Sequence, residues 1–304
     1  MNAGSTTPSG LPHAIGVYLM WGLIPLYFHL LHDVPPTEMV GWRVLFTIPV
    51  CLVLVIAMRQ FPEVRHALTT PRTLGALTIS ALLIGGNWLI YVIAITTDHV
   101  FAASLGYYIN PLLNVLAGTL FLGERLSRRQ WIAVALATVG VAVLAWGALN
   151  MLWISMGLAL TFCAYGLVRK LAPVESLPGL TIETLVLALP AVAMVGWQAA
   201  QPAGSALGQS PSRDMWLAAS GLITGVPLLL FATAARRMNY SALGFVQFLA
   251  PTIVFLLGLF VFHEPLRPVQ LASFVLIWCA IAVFCWDLLS RRKPAPEAEA
   301  EAVV

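Results

Sequence analysis

Charge is what this chain has least of. Asp, Glu, Lys and Arg make up 10% of its 304 residues, while apolar residues make up 60% and the mean hydropathy is +0.88. A soluble domain of this length needs far more polar surface than that, so a water-soluble globular fold is excluded. Cysteine is also sparse. Cys51, Cys163, Cys279 and Cys285 each lie inside an apolar run and form no CxxC pair. They read as small packing residues, not as disulfides or metal ligands. The chain contains no Gly-rich phosphate loop, no HExxH and no nucleophile elbow. Nucleotide-driven pumping and the common hydrolase chemistries therefore lose their machinery, and no cofactor or metal is expected. Residues 1–12 lack Lys and Arg, so a cleaved signal peptide is not expected.

What is present is a series of ten apolar segments, each near the roughly 20 residues needed to cross a bilayer. They run over 13–31, 37–58, 73–95, 102–122, 129–147, 150–168, 180–198, 214–234, 241–262 and 268–289. The expected fold is an all-α polytopic membrane protein with ten transmembrane helices. Residues 1–12 form an N-terminal tail, 13–147 and 150–289 two five-helix repeats joined by a turn near Gly147–Asn150, and 290–304 a disordered C-terminal tail. The Gly, Ser and Pro-rich stretch 199–213 is expected to be a flexible connector.

The division into halves comes from a repeat. At a shift of 140 positions Pro111 meets Pro251, Leu116 meets Leu256, Gly118 meets Gly258, Glu124 meets Glu264 and Gln130 meets Gln270. Leu105-Gly106 resembles Leu243-Gly244, with two residues inserted before the second proline. A duplicated half of this size in a membrane protein points to a transporter. Five spans per half would insert the halves in opposite senses, giving an inverted repeat.

Positive charge sets the orientation. With the N-terminus inside, the inner loops hold Arg59, Arg65, Arg72, Arg125, Arg128, Arg129, Arg169, Lys170, Arg236, Arg237, Arg291, Arg292 and Lys293; the outer loops hold only Arg213 and Arg267. Both termini are therefore expected in the cytoplasm.

The polar residues inside spans are the candidate site. Tyr107, Asn110, Asn114 and Gly118 are spaced 3, 4 and 4, so they share a helix face. They either line a central cavity or glue helices together. Gln247 is the second-half counterpart of Tyr107. Asn87, Trp88 and Tyr91 place amide and aromatic groups at mid-depth of the third span, as substrate contacts or as packing. Arg43, about 9 Å into its span, either guards the outer mouth of the cavity, snorkels outward, or pairs with Glu38 or Asp98.

Glu124 and Glu264 close their spans, where a carboxylate opposes the helix dipole and calls for a partner. They are structural caps or proton-coupling groups. Gly118, Gly258, Pro111 and Pro251 belong to the same structural set, as close-packing and bending points. Glu183, Asp287, Arg169 and Lys170 lie near cytoplasmic ends and read as interfacial anchors. His29, His99 and His263 fall near the outer surface without metal-site spacing.

Seven segments carry a family resemblance: WGLIPLYF (21–28), HDVPPTEMVGWRV (32–44), IGGNWLIYV (84–92), ASLGYYINPLLNV (103–115), FLGERLSRRQW (121–131), YGLVRK (165–170) and VPLLLFATAA (226–235). Over about residues 13–290 the chain resembles EamA-type members of the drug/metabolite transporter superfamily. The resemblance implies ten spans in a 5 + 5 inverted repeat, a bacterial inner membrane, and export of a small molecule. His263 stands where the first half has Gly123, so the resemblance does not imply the same helix-ending turn there.

The expected function is secondary active transport of a small organic metabolite or drug by alternating access, driven by a proton or solute gradient. Small-molecule substrate and bilayer are the expected partners, with no nucleic acid. A membrane scaffold or receptor without transport would not need the polar midplane residues. An enzyme acting on lipid-linked substrates would need a His, Asp or Glu cluster at one membrane face.

Overall fold

The structure is a computed structural model that describes residues 10–146, 151–263 and 265–290. Within them lie twelve α-helices and no strand. In chain order they are α1 (Leu11–Leu30), α2 (Pro36–Ala57), α3 (Phe61–Thr69), α4 (Pro71–Thr96), α5 (Val100–Phe121) and α6 (Arg128–Ala145). The second half continues with α7 (Leu152–Leu171), α8 (Ser176–Ala199), α9 (Pro211–Arg237), α10 (Tyr240–Gln247), α11 (Leu249–Phe260) and α12 (Pro268–Ser290). Ten spans result, with α10 and α11 forming one broken span over Tyr240–Phe260. The expected joint at 147–150, residues 1–9 and 291–304 of the two expected tails, and Glu264 lie outside the described residues, while Leu11–Pro12 and Ser290 belong to α1 and α12.

Proline sets most of the starts. It occupies the first or second position of α1, α2, α3, α4 and α9, where its missing N–H removes no helical bond. The start of α6 is a capping box, in which Ser127 Oγ accepts from Gln130 N at 3.1 Å and Gln130 Oε1 accepts from Ser127 N at 2.9 Å. Large apolar side chains such as Ile56, Phe121, Trp146, Leu189 and Trp197 remain exposed around the bundle and form the lipid-facing belt.

Two features depart from the sequence-based expectation. The stretch expected as a plain inner loop between the second and third spans contains α3, a short helix that buries Val64 and Ala67 while leaving Arg65 outside. The ninth span is interrupted at Phe248, although its counterpart α5 runs unbroken through Pro111. The two inserted residues explain the difference. They let the helix restart at Leu249, which puts Pro251 in a first turn where it needs no helical N–H partner.

The helix-ending turn, by contrast, is kept in both halves. Gly123 has φ +66° and His263 φ +53°, both left-handed. A side chain there costs on the order of 1–2 kcal/mol, and histidine is among the residues that tolerate it best. Replacing glycine by histidine leaves the turn's handedness unchanged.

The bundle has two distinguishable faces. One, here the termini face, gathers Gly10, Glu124, Ser127, Lys170, Arg237 and Asp287, joined by contacts such as Ser127 Oγ to Asp287 Oδ2 at 3.0 Å. The opposite face carries the α1–α2 and α8–α9 loops, tied together by Arg213 and Asp33. Trp21, Phe162, Tyr165 and Phe231 pack ring against ring, with Tyr165 stacked on Phe231.

Candidate functional site: a central aromatic cavity with one arginine

A cavity of about 850 Å³ occupies the centre of the bundle. Its lining runs from Tyr18 and Gln247 at depth to Phe262, Arg267 and Gln270 at the face opposite the termini. Seven helices contribute aromatic rings or amides to this lining. Trp21 and Phe28 come from α1, Trp88 and Tyr91 from α4, Tyr107 and Tyr108 from α5, and Phe162 from α7. The rings of Tyr91 and Tyr107 lie 6.4 Å apart across the wall.

Arg43 is the charged group deep in this lining. Its Nε donates to Thr224 Oγ1 of α9 at 2.9 Å, and its guanidinium carbon stands 5.6 Å from the Phe28 ring centre and 5.4 Å from that of Trp88. Both separations fall within cation–π range. Neither carboxylate offered as a partner is used. Glu38 is fully buried and accepts from Trp42 Nε1 at 3.0 Å, Ser205 Oγ at 2.5 Å and Ala206 N at 2.9 Å. Among the described residues no ion pair joins Arg43 to Asp98. The guanidinium is thus held by a hydroxyl and two aromatic faces, with its charge free to act on the cavity.

Asn87, Trp88, Tyr91, Tyr107 and Gln247 also line the cavity, as do Pro251 and Gly258. Asn87 is constrained, because its Nδ2 donates to Leu158 O at 2.8 Å and Thr161 Oγ1 at 2.9 Å on α7.

Asn110 and Asn114 do not line it, which corrects the expectation of a polar midplane stripe. Asn110 Nδ2 donates to Ala159 O at 2.7 Å. Asn114 Nδ2 donates to Asn110 Oδ1 at 3.2 Å and to Gln247 Oε1 at 2.7 Å. The amides form a chain linking α7, α5 and α10, both being 1% exposed or less. The cause is close helix approach at glycine. A Cβ on Gly106 would stand 3.0 Å from Leu158 Cβ, and one on Gly244 would stand 2.6 Å from Pro111 O. With α7 and α10 this close to α5, the amide face is covered below Tyr107. Gln247 is the member of the chain that reaches the cavity, and Tyr18 Oη donates to its Oε1 at 3.5 Å.

Glu124 caps a helix. Its Oε1 accepts from Tyr240 N at 2.6 Å and its Oε2 from Ser241 N at 2.9 Å, at the start of α10. Gly118 is needed beside it, since a Cβ there would lie 2.5 Å from Ser241 Oγ and 2.6 Å from Glu124 Oε2. Lys170 caps the end of α9 on the other side of the same turn, with Nζ donating to Ala235 O at 2.9 Å and Met238 O at 2.6 Å.

The interfacial-anchor reading of Arg169, Glu183, Asp287 and Lys170 also needs correction. Arg169 is 0% and Glu183 2% exposed, and Arg169 Nε stands 3.5 Å from Glu183 Oε1. Asp287 is buried against Ser127, and Lys170 is the cap just described. The sequence did carry a signal for the pair. Opposite charges flank the four-residue turn between α7 and α8, Arg169 two positions before the end of α7 and Glu183 seven residues into α8, a span that a long arginine side chain can cover. Tyr18, Trp21, Phe162 and Thr224 were not singled out from sequence, because nothing distinguishes them from the other aromatic and small residues of their spans.

Comparison with known proteins agrees with this architecture. The model of the EamA-like transporter family matches residues 8–146. A protein named RarD from Salmonella typhi is 41% identical over 288 residues, covering 94% of this chain and 98% of that one. The chain belongs to the EamA-like transporter family. Another RarD protein, from Escherichia coli K12, is 41% identical over 288 residues, covering 94% of this chain and 97% of its own. A relative in Pseudomonas aeruginosa, named an uncharacterized transporter, is 43% identical over 281 residues, covering 92% of this chain and 94% of its own. A solved crystal structure superposes with a TM-score of 0.73 at 21% identity, covering 94% of this chain and all of the other, which shows a shared fold. This EamA-family chain is therefore a multi-pass membrane transporter, with a small-molecule substrate and the bilayer as its partners.

Proposed function

We propose that the protein is a secondary transporter that exports a small amphipathic organic solute, anionic or zwitterionic, across the bacterial inner membrane by alternating access. Both termini face the cytoplasm in this reading. The observation that carries it is the placement of Arg43: a guanidinium with no carboxylate partner among the described residues, facing an aromatic cavity of about 850 Å³. A fixed positive charge among ring faces suits a solute with an apolar body and an anionic group, and disfavours a purely cationic drug.

Alternating access is supported by the helix pairings. α6 packs on α12, α2 on α8, and α5 on α10; α4 packs on α7 as α9 does on α1. Exchange of the two halves leaves this set of pairings unchanged, as an inverted repeat requires. Lining that reaches one face, together with capped and ion-paired helix ends at the other, is the arrangement of a state open to a single side.

Purified protein in proteoliposomes, supplied with a cellular metabolite pool with and without an uncoupler, tests the reading. Accumulation or release of an anionic or zwitterionic component that Arg43→Leu abolishes is the expected result. Equal flux of all components in empty and loaded liposomes overturns it.

A further inference from the structure

One turn below the cavity lies a polar cluster that the solute path does not use. Ile84 lines the cavity, and Ser80 sits one turn deeper on α4. Glu183 enters from the termini face, seven residues into α8, or about 10 Å along the axis. Its Oε1 accepts from Ser80 Oγ at 2.5 Å and faces Arg169 Nε at 3.5 Å. Arg169 Nη2 donates to Ser176 O at 2.9 Å. The pocket is shaped for the guanidinium, since a Cβ on Gly179 would collide with Arg169.

The cluster is incompletely satisfied. Glu183 Oε2, Arg169 Nη1 and the Tyr165 hydroxyl are buried without a hydrogen-bond partner among the described residues. The other carboxylates packed within the bundle differ. Glu38 and Glu124 are occupied by backbone amides, and Asp287 accepts from Ser127 Oγ at 3.0 Å. A buried ion pair is tolerated when its remaining lone pairs and protons are satisfied, and here they are not. The Tyr165 hydroxyl acts on Glu183. A carboxylate oxygen beside a hydroxyl accepts that hydroxyl's proton when charged and donates to its oxygen once protonated, so the contact can hold in either state.

The geometry points to Glu183 as the binding site of a coupling proton, with Arg169 as the group that converts its binding into opening of the termini face. A proton from water adds to Glu183 Oε2, and the resulting acid O–H donates to the Tyr165 hydroxyl oxygen. Arg169 is then a buried cation without its anion. That state is relieved when the termini face opens around the α7–α8 turn and water reaches the guanidinium. Loss of the proton restores the pair and the closed face. This assignment deepens the transporter reading and rests on it.

Every neighbouring element contributes to the surroundings of Glu183. α7 presents Arg169 and Tyr165, α2 presents the Cys51 thiol, and α4 presents Ser80. α9 holds Arg236, whose Nη1 donates to Ala172 O at 3.2 Å, and α3 offers Val64 and Ala67. At the start of α8, Glu175 accepts from Gln60 Nε2 at 2.7 Å.

The test uses the full chain in liposomes without any solute. Infrared pH-difference spectra between about pH 5 and about pH 8 read carboxyl protonation directly. One protonated-carboxyl band is expected in the wild type, lost in Glu183→Gln and moved but retained in Glu183→Asp. In parallel, spin labels at Arg125→Cys and Leu171→Cys, both exposed, read the separation across the termini face. The distance should lengthen on acidification in the wild type and stay long at both pH values in Glu183→Gln. A wild type with no band, a band that survives Glu183→Gln, or a label distance indifferent to pH overturns the assignment. These readouts need no substrate. Their failure leaves the solute pathway through Arg43 standing, and an absence of solute flux leaves them unaffected.

Discussion

Glu124 Oε1 sits 2.6 Å from the backbone nitrogen of Tyr240, so a carboxylate ending one span caps the first turn of another. The two residues are 116 positions apart and belong to different halves of the chain. The mismatch of a negative charge at a helix C-terminus is offset by the positive end of α10. With Lys170 holding the last carbonyls of α9, the α9–α10 turn is fixed from both sides.

Glu124→Gln should therefore destabilise the folded protein by about 1–2 kcal/mol, from the loss of a charged cap at two amides. Thermal unfolding in detergent, followed by loss of monodisperse protein, measures it. Unchanged stability accompanied by transport that has lost its pH dependence would instead assign Glu124 to coupling.

Gly118 and Gly75 form a controlled pair. Alanine at 118 meets Ser241 Oγ and Glu124 Oε2 within 2.6 Å, whereas at 75 it meets nothing within 4 Å. Gly118→Ala should lower the melting temperature, and Gly75→Ala should be neutral or stabilising by up to about 1 kcal/mol, from the helical preference of alanine over glycine. Equal effects at the two positions would contradict the close approach of α10 to α5.

Asn114→Leu and Arg43→Leu should separate structure from solute binding. The first breaks the amide chain and strips Gln247 Oε1 of its 2.7 Å donor, costing about 1–2 kcal/mol of stability. The second removes a charge held by one hydroxyl and two rings, and should abolish flux while leaving the folded protein's stability within about 1 kcal/mol of wild type. Thermal stability and proteoliposome flux measured on the same preparations decide the matter. A stable Asn114→Leu that loses transport would return the amides to the cavity.

Orientation can be read with single cysteines at exposed Ala203 and Arg65 in a cysteine-free background. Ala203 is preferred to Gly208, whose φ of +88° disfavours a side chain. An impermeant thiol reagent applied to intact cells should label position 203 and spare position 65. The reverse pattern would invert the topology.

The sequence alone determined the ten spans, because a bilayer crossing is a matter of length and apolarity, and neither depends on what packs beside the helix. It also marked Arg43, since a charge inside a span stands out against lipid wherever its side chain points. Helical periodicity placed Asn110 and Asn114 on the face shared with Tyr107, and the structure keeps them there. What periodicity does not contain is the distance to the neighbouring helix at each level of that face. Gly106 and Gly244 decide it: they let α7 and α10 close on α5, which covers the two asparagines and leaves Tyr107 at the cavity. The same holds for charge. Position along the chain put Arg169 and Glu183 near helix ends, where lipid headgroups and water are ordinarily within reach. Only the packing of α2, α4 and α9 around them removed that contact and left the two facing each other.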